Sequence, residues 1–370
     1  MTNEELNELI AKYKSGKCSD DERAFLEDSI FSYNEHIPPL NEQEVEAMCA
    51  KIFEKLPSKP NGKLKLWSVI IATAATLALS AGVYLIAKHE LLSPRREIIT
   101  KTDIAPGSNR AILKLANGKM IQLAGNKSGI KQTKSTLIYG DGTPVGVQNG
   151  DSEINALITP KGGQYTLTLS DGSVITLNAG SELKYPAQFP DVGERKVYLS
   201  GEAFFEITKD KNHPFIVESR DQRIKVLGTK FNVNSYASHA AATTLAEGSV
   251  QLTKLASPTE KRADADNLIL KPGEQAIVGK DKITVSQVDV DLNLAWIYGK
   301  TEFENAELKT VMQMLERWYD VEVVYKSYPQ ASRFSGSISR NKNLSEVLRL
   351  LETTGEVHFK IDERRVIVMK

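Results

Sequence analysis

The chain has 370 residues, room for two or three domains, with 41% hydrophobic and 25% charged residues. Lys+Arg and Asp+Glu both number 47, so no global field draws in nucleic acid or an acidic surface. Both cysteines, Cys18 and Cys49, lie near the N-terminus. A disulfide framework therefore does not hold the larger part together, and without a C-x-x-C pair they form no zinc pattern.

In chain order, Leu6, Leu9, Ile10 and Tyr13 repeat at helical spacing up to Gly16. Ser19-Asp20-Asp21-Glu22 is a capping box, opening a second helix with Phe25, Leu26 and Ile30. Beyond Pro38 and Pro39, Asn41 and Glu44 suggest another cap, and Val45, Met48, Ile52 and Leu56 form a third stripe. Residues 1–57 are thus expected to be a small all-α bundle, followed by a linker at 58–65. Three short helices bury little surface. Such a head either stands as a solvated bundle or gains stability by docking its apolar face on a soluble partner.

From Leu66 to Ala87 no residue is charged. At 1.5 Å per residue the run spans roughly 33 Å, close to bilayer thickness. Trp67 and Tyr84 stand near its ends, and Ile70, Leu77 and Leu79 lie within it. The sequence therefore predicts one transmembrane helix at 66–87. Lys51, Lys55, Lys59, Lys63 and Lys65 before it outnumber Lys88, Arg95, Arg96 and Lys101 after it, which favours a cytoplasmic N-terminus. Residues 88–105 read as a linker on the far side.

After Pro94 the period changes from helical to two. Ile112-Leu113-Lys114-Leu115, Tyr165-Thr166-Leu167-Thr168-Leu169, Val174-Ile175-Thr176-Leu177, Lys196-Val197-Tyr198-Leu199 and Phe215-Ile216-Val217 alternate as strands do. Asn117-Gly118, Asp171-Gly172 and Pro272-Gly273 supply the turns. Residues 106–290 are expected to be an all-β body, a sandwich or a β-roll. Glu202 and Glu206 lie about 13 Å apart on one strand, too far for a catalytic carboxylate pair, and read as solvated or turn-bonded side chains.

Six strings in this body appear together and in order. They are Leu169-Ser170-Asp171-Gly172-Ser173 running to Leu177-Asn178-Ala179-Gly180-Ser181, Gly201-Glu202-Ala203-Phe204-Phe205-Glu206-Ile207, Pro214-Phe215-Ile216-Val217, Val226-Leu227-Gly228-Thr229-Lys230-Phe231-Asn232-Val233, Leu245-Ala246-Glu247-Gly248-Ser249-Val250 and Leu270-Lys271-Pro272-Gly273-Glu274-Gln275-Ala276. Together they resemble the FecR family of anti-sigma factors.

The tail, residues 295–370, repeats itself: Leu308, Val311, Leu315, Val321 and Val323 recur in the same spacing as Leu344, Val347, Leu351, Val357 and Phe359. Each copy reads as an amphipathic helix feeding a strand. Ser345 and Glu346 open the second helix and Gly355 closes it. The expectation is an α+β domain of two β-α-β repeats, one small sheet with both helices on one face. Trp296, Arg317-Trp318-Tyr319-Asp320 and Arg333-Phe334-Ser335-Gly336 resemble the C-terminal domain of Bacteroidota-type members, which is similar to the secretin and TonB short N-terminal domain. Trp318 and Tyr319 read either as core at a helix end or, with Arg317, as a partner surface.

The whole chain is thus expected to be multidomain: all-α bundle, one transmembrane helix, all-β body and α+β tail. The resemblance implies an inner-membrane regulator with a cytoplasmic N-terminus and a periplasmic C-terminus. It implies that the head binds an extracytoplasmic-function sigma factor, with Leu6, Leu9, Tyr13, Phe25 and Leu26 as candidate contacts. It also implies that the periplasmic part senses the N-terminal signalling domain of a TonB-dependent outer-membrane transporter. Trp296, Phe303, Arg317, Trp318, Tyr319 and Phe334 are the candidate contacts there. Two small α/β domains can meet by edge-strand addition or helix-face packing. Intramembrane and site-1 proteases are further implied partners, and iron or glycan uptake genes the implied target. No cofactor and no direct nucleic-acid contact are implied. The alternative is a membrane-tethered glycan- or cell-wall-binding protein, which a row of exposed aromatic residues would favour. An enzyme is disfavoured, because G-x-x-x-x-G-K, H-E-x-x-H and G-x-S-x-G are all missing and the five histidines are scattered.

Overall fold

The computed structural model describes residues 103–133, 136–148, 154–255, 267–280, 282–327, 333–355 and 357–370, all within one compact unit from Arg95 to Lys370. The expected bundle at 1–57, with Leu6, Leu9, Tyr13, Phe25 and Leu26, lies outside these residues. So does the expected membrane helix at 66–87, with Trp67, Ile70, Leu77, Leu79 and Tyr84. The expected fold class is corrected. The described residues are mostly β, with three short α-helices and one 3-10 turn among them. No described helix is long and apolar enough to cross a membrane. The physical reason is the period-two alternation that dominates the described sequence, which leaves helical spacing only in short stretches.

The body strands are β1 (Ser108–Asn109), β2 (Ile112–Lys114), β3 (Met120–Gln122), β4 (Gly129–Gln132), β5 (Thr136–Tyr139), β6 (Pro144–Gln148), β7 (Ile154–Thr159), β8 (Gly163–Thr168), β9 (Val174–Leu177) and β10 (Ser181–Pro186). They continue with β11 (Arg195–Glu206), β12 (Phe215–Ser219), β13 (Gln222–Val226), β14 (Lys230–Ser235), β15 (Ala241–Glu247), β16 (Val250–Lys254), β17 (Asn267–Leu270), β18 (Glu274–Val278) and β19 (Ile283–Gln287). All but β1, which pairs parallel with β8 alone, form two sheets. One runs β3-β2-β7-β10-β11-β12-β13-β16-β17. The other runs β6-β5-β4-β8-β9-β11-β14-β15-β18-β19. After β11, successive hairpins alternate between the sheets.

Strand β11 belongs to both. Its first half pairs Tyr198 with Lys184 of β10 and with Glu218 of β12; its second half pairs Phe205 with Phe231 of β14 and Ile175 of β9. The change-over is at Gly201, whose φ of 95° suits glycine. A Cβ there would stand 2.5 Å from Ser181 Oγ and 2.8 Å from Ser181 Cα. Inward residues of both sheets, among them Leu113, Tyr165, Leu183, Phe215 and Ile224, form one core, with Phe205 stacked on Phe231 at 5.0 Å. Each such side chain contributes about 1.5–3 kcal/mol by leaving water. The β8–β9 turn follows its sequence closely: Asp171 Oδ1 accepts from Ser173 N at 3.0 Å, and Asp171 Oδ2 accepts from the buried Arg195 at 2.6 Å.

Beyond the body, α1 (Val290–Leu294) is capped by Asp289, whose Oδ1 accepts from Asp291 N at 2.9 Å. A 3-10 turn, Ala295–Tyr298, follows. Leu294 and Trp296 pack on Phe204 of β11. The tail then comprises β20 (Lys300–Glu307), α2 (Leu308–Tyr319), β21 (Glu322–Tyr325), β22 (Arg333–Ser339), α3 (Leu344–Glu352), β23 (His358–Asp362) and β24 (Arg365–Met369). The expected single sheet of two β-α-β repeats is corrected here. Strands β20 and β22 pair antiparallel in a two-stranded sheet. Strand β24 lies between β21, parallel to it, and β23, antiparallel to it. The repeated apolar pattern fixes which residues face inward; it does not fix which strands pair. One core joins both helices to both sheets: Leu308, Val311 and Leu315 with Leu344, Val347 and Leu351, closed by Phe303, Phe334, Phe359 and Val366.

Candidate interaction site at the seam of body and tail

Five of the six residues expected to face a partner lie inside the protein: Trp296, Phe303, Trp318, Tyr319 and Phe334 are all buried, and Arg317 is half-buried. They divide between two places. Phe303 and Phe334 line the tail core, whereas Trp296, Arg317, Trp318 and Tyr319 stand where α2 ends against the body.

Helix α2 ends at Asp320, which takes a left-handed conformation (φ 53°). Its last carbonyls are covered by Arg364, which donates to Tyr319 O at 2.6 Å and, through Nε, to Asp320 O at 2.8 Å. A fixed helix end needs such partners for its free carbonyls. The body reaches it through the 160–163 loop: Gly162 N donates to Arg317 O at 2.7 Å, and Lys161 pairs with Glu316 at 2.9 Å.

At the centre is Arg340, just after β22 and only 5% exposed. Its guanidinium carbon lies 3.6 Å from the centre of the Trp318 ring, and Trp318 Nε1 donates to Arg340 O at 2.9 Å. Arg340 donates across the seam to Asn178 Oδ1 at 2.9 Å and Gln164 Oε1 at 3.2 Å, and to Trp296 O at 3.3 Å. Burial holds its pKa down to about 10, opposed by the nearby charge of Glu202. At neutral pH it is still a cation, and desolvation strengthens its attraction to the indole face.

Glu202 is the matching anion, 7% exposed. Its carboxylate accepts from Asn178 Nδ2 at 2.8 Å, Asn232 Nδ2 at 3.0 Å and Asn234 Nδ2 at 3.2 Å. The reading of Glu202 as a solvated or turn-bonded carboxylate is thereby corrected, while Glu206 is exposed. Three amide donors stand in for lost water, which is how a buried charge is tolerated. Beside this pair Tyr236 donates to Ala179 O at 2.6 Å, and Arg317 lies 4.2 Å from its ring centre. Burial pushes the Tyr236 hydroxyl pKa upward. A cavity of about 250 Å³ opens along the seam between Trp296, Arg317 and Asn234.

Glu202 accepts from three side-chain amides, and no cluster of three or more His, Cys, Asp or Glu able to hold a metal occurs among the described residues. One imidazole at the seam's rim, His239, has its pKa lowered. His239 contacts Ser238 Oγ and Asn234 Oδ1, and burial, then the charges of Arg317 and Arg220, lower its pKa. A histidine held neutral adds stability above its unfolded pKa of about 6.5, and that stability is lost as pH falls below it. Arg317→Gln removes one of the repelling charges. The His239 midpoint, followed by imidazole NMR, is expected to move upward, and an unmoved midpoint would show that Arg317 does not act on it.

Sequence reading missed Arg340, Glu202 and their asparagine partners as a unit. A signal was present: Asn178, Glu202 and Asn232 each sit in one of the strings quoted above. Polar residues kept among strand hydrophobics are the mark of a buried network.

Comparison with known proteins follows this division. The FecR protein family model matches residues 155–251, and the model for the FecR C-terminal region matches residues 300–368. A 2.50 Å crystal structure of a candidate anti-sigma factor from Parabacteroides distasonis is similar at 30% identity and TM-score 0.52. That match covers 59% of this chain and 99% of that one. A 1.65 Å crystal structure, also of a candidate anti-sigma factor from that organism, matches at 30% identity and TM-score 0.51, covering 58% and 98%. No curated protein matches the chain.

Proposed function

The chain belongs to the FecR family of signal-transducing anti-sigma factors, and from that premise we propose that it captures an extracytoplasmic-function sigma factor through residues 1–57 and receives its signal through the body and tail. The signal is the N-terminal signalling domain of a TonB-dependent outer-membrane transporter, and the output is transcription of uptake genes. The observation that carries this reading is the joint family match of body and tail, two regions bolted together by one buried polar seam. A partner that binds the tail thereby acts on the body as well, since a partner shifts only states it binds differently. The outer strands of the tail's two small sheets are the places for strand addition. Arg317, half-buried at the seam's rim, is the one of the six candidate contacts that reaches solvent, and Trp296, Phe303, Trp318, Tyr319 and Phe334 frame the surface from beneath.

The glycan-binding alternative gains no support from the aromatic residues. Of the three tryptophans, Trp296 and Trp318 are both buried.

The test is retention of purified sigma factors from the same genome by the full chain. One sigma factor is expected to be retained, and Leu9→Asp with Phe25→Asp to abolish retention without moving the unfolding midpoint of the body. Retention of none would overturn the proposal.

A further inference from the structure

The segment Asp103–Ser108 leads into the body, yet the tail holds it. Asp103 Oδ2 accepts from Ser345 Oγ at 2.6 Å, and its Oδ1 accepts from Ser345 N at 3.2 Å and from Ile104 N at 2.8 Å. Ser345 lies in the first turn of α3, whose own N-cap residue, Asn343, makes no side-chain cap bond. A helix start has free amides and favours an anion. Here the anion comes from a residue 242 positions away. Next, Leu344 N donates to Ile104 O at 2.9 Å, and the Ile104 side chain is buried in the tail core. Gly107 then passes beneath Trp318 so closely that a Cβ would stand 2.7 Å from two ring carbons. Finally Ser108 N donates to Gly162 O at 2.9 Å, while Gly162 N donates to Arg317 O.

Strap, α3 start, Trp318 and the 160–163 loop therefore close a ring of contacts. The strap also borders a groove of about 940 Å³ that it lines together with Trp318, Tyr319 and Lys360–Arg364. The strap is thus held by the tail and still borders open space.

We propose that this strap is a latch: the C-terminal domain clamps the chain just before the body, so lifting the tail and freeing residues 103–108 are one event. A signal received at the tail then reaches the preceding chain directly, beside its effect on the body through the seam. What that release switches rests on the sigma-regulator reading; the latch itself does not.

Hydrogen exchange of the full chain tests it. Gly107→Ala forces the strap off Trp318, and Ser345→Ala weakens the cap from the tail side. Each is expected to speed exchange at the Ile104, Ser108 and Leu344 amides together, by about five- to tenfold, the usual worth of a cap. Ser337→Ala, which removes a bond to Glu302 on the two-stranded sheet, is expected to leave all three unchanged. If Gly107→Ala does not fold, Asp103→Asn takes its place. Faster exchange at Ser108 alone, or at Leu344 alone, would overturn the latch. Sigma-factor retention reports separately: coupled exchange with no sigma factor retained leaves the latch standing and removes the functional reading, and the reverse outcome does the opposite.

Discussion

Arg340→Ala is expected to lower the unfolding free energy by about 3–5 kcal/mol, the cost of stripping a buried charge of its partner. Two losses contribute. The cation leaves the Trp318 face, worth about 2 kcal/mol when desolvated. Glu202 then stays buried without the positive charge that offsets it, and the acceptors Asn178 Oδ1 and Gln164 Oε1 lose their donor. The three amides on Glu202 soften the second loss, which keeps the total within that range. Arg340→Lys keeps the charge and loses the planar face and its forked donors, so about half the effect is expected, near 2 kcal/mol. Urea unfolding followed by tryptophan fluorescence reads both, since Trp296 and Trp318 flank Arg340. A double-mutant cycle with Glu202→Gln is expected to show a coupling of about 1 kcal/mol or more. A loss below about 1 kcal/mol for Arg340→Ala, or no coupling in the cycle, would show that body and tail do not depend on this pair.

Gly201→Val is the second large loss. At a φ of 95° a branched residue is strained by about 1–3 kcal/mol. The added Cβ also meets Ser181 Cα at 2.8 Å, a backbone atom with no rotamer to yield, and overpacking of this kind adds about 1–3 kcal/mol. A total of about 2–6 kcal/mol is expected, measured as a shift of the urea midpoint. Gly118→Ala is the control. Its φ of 85° is similar, but nothing lies within 4 Å of the added carbon, so only strain of about 1 kcal/mol remains. Equal losses at the two positions would mean that the change-over of β11 does not depend on close approach to β10.

What the sequence makes legible is what is local. The Leu169–Leu177 hairpin is readable because alternation, Asp171 and Gly172 all lie within nine consecutive residues, and Asp171 bonds Ser173 two positions on. The Glu202 network is not readable in this way. Its three asparagines come from the end of β9 and from β14, brought together only when β11 pairs with both. Arg340 looks like any arginine in a polar loop until Trp318 is placed beneath it. Asp103 looks like linker, because the helix it caps begins more than two hundred residues later. Trp318 and Tyr319 are aromatic in either of the two roles open to them, and burial is a tertiary property that no neighbour in sequence reports.

The pairing of the tail strands has a consequence for how that domain was built and how it breaks. Each repeat gives its first strand to one sheet and its second to the other. Neither repeat owns a complete sheet, so the two halves are woven rather than stacked. A stop codon after Tyr325 would not leave a working half-domain: β20 would lose β22, β21 would lose β24, and α2 would show its apolar stripe to water. Both copies, with β24 after them, are therefore needed together before either sheet of the tail is complete.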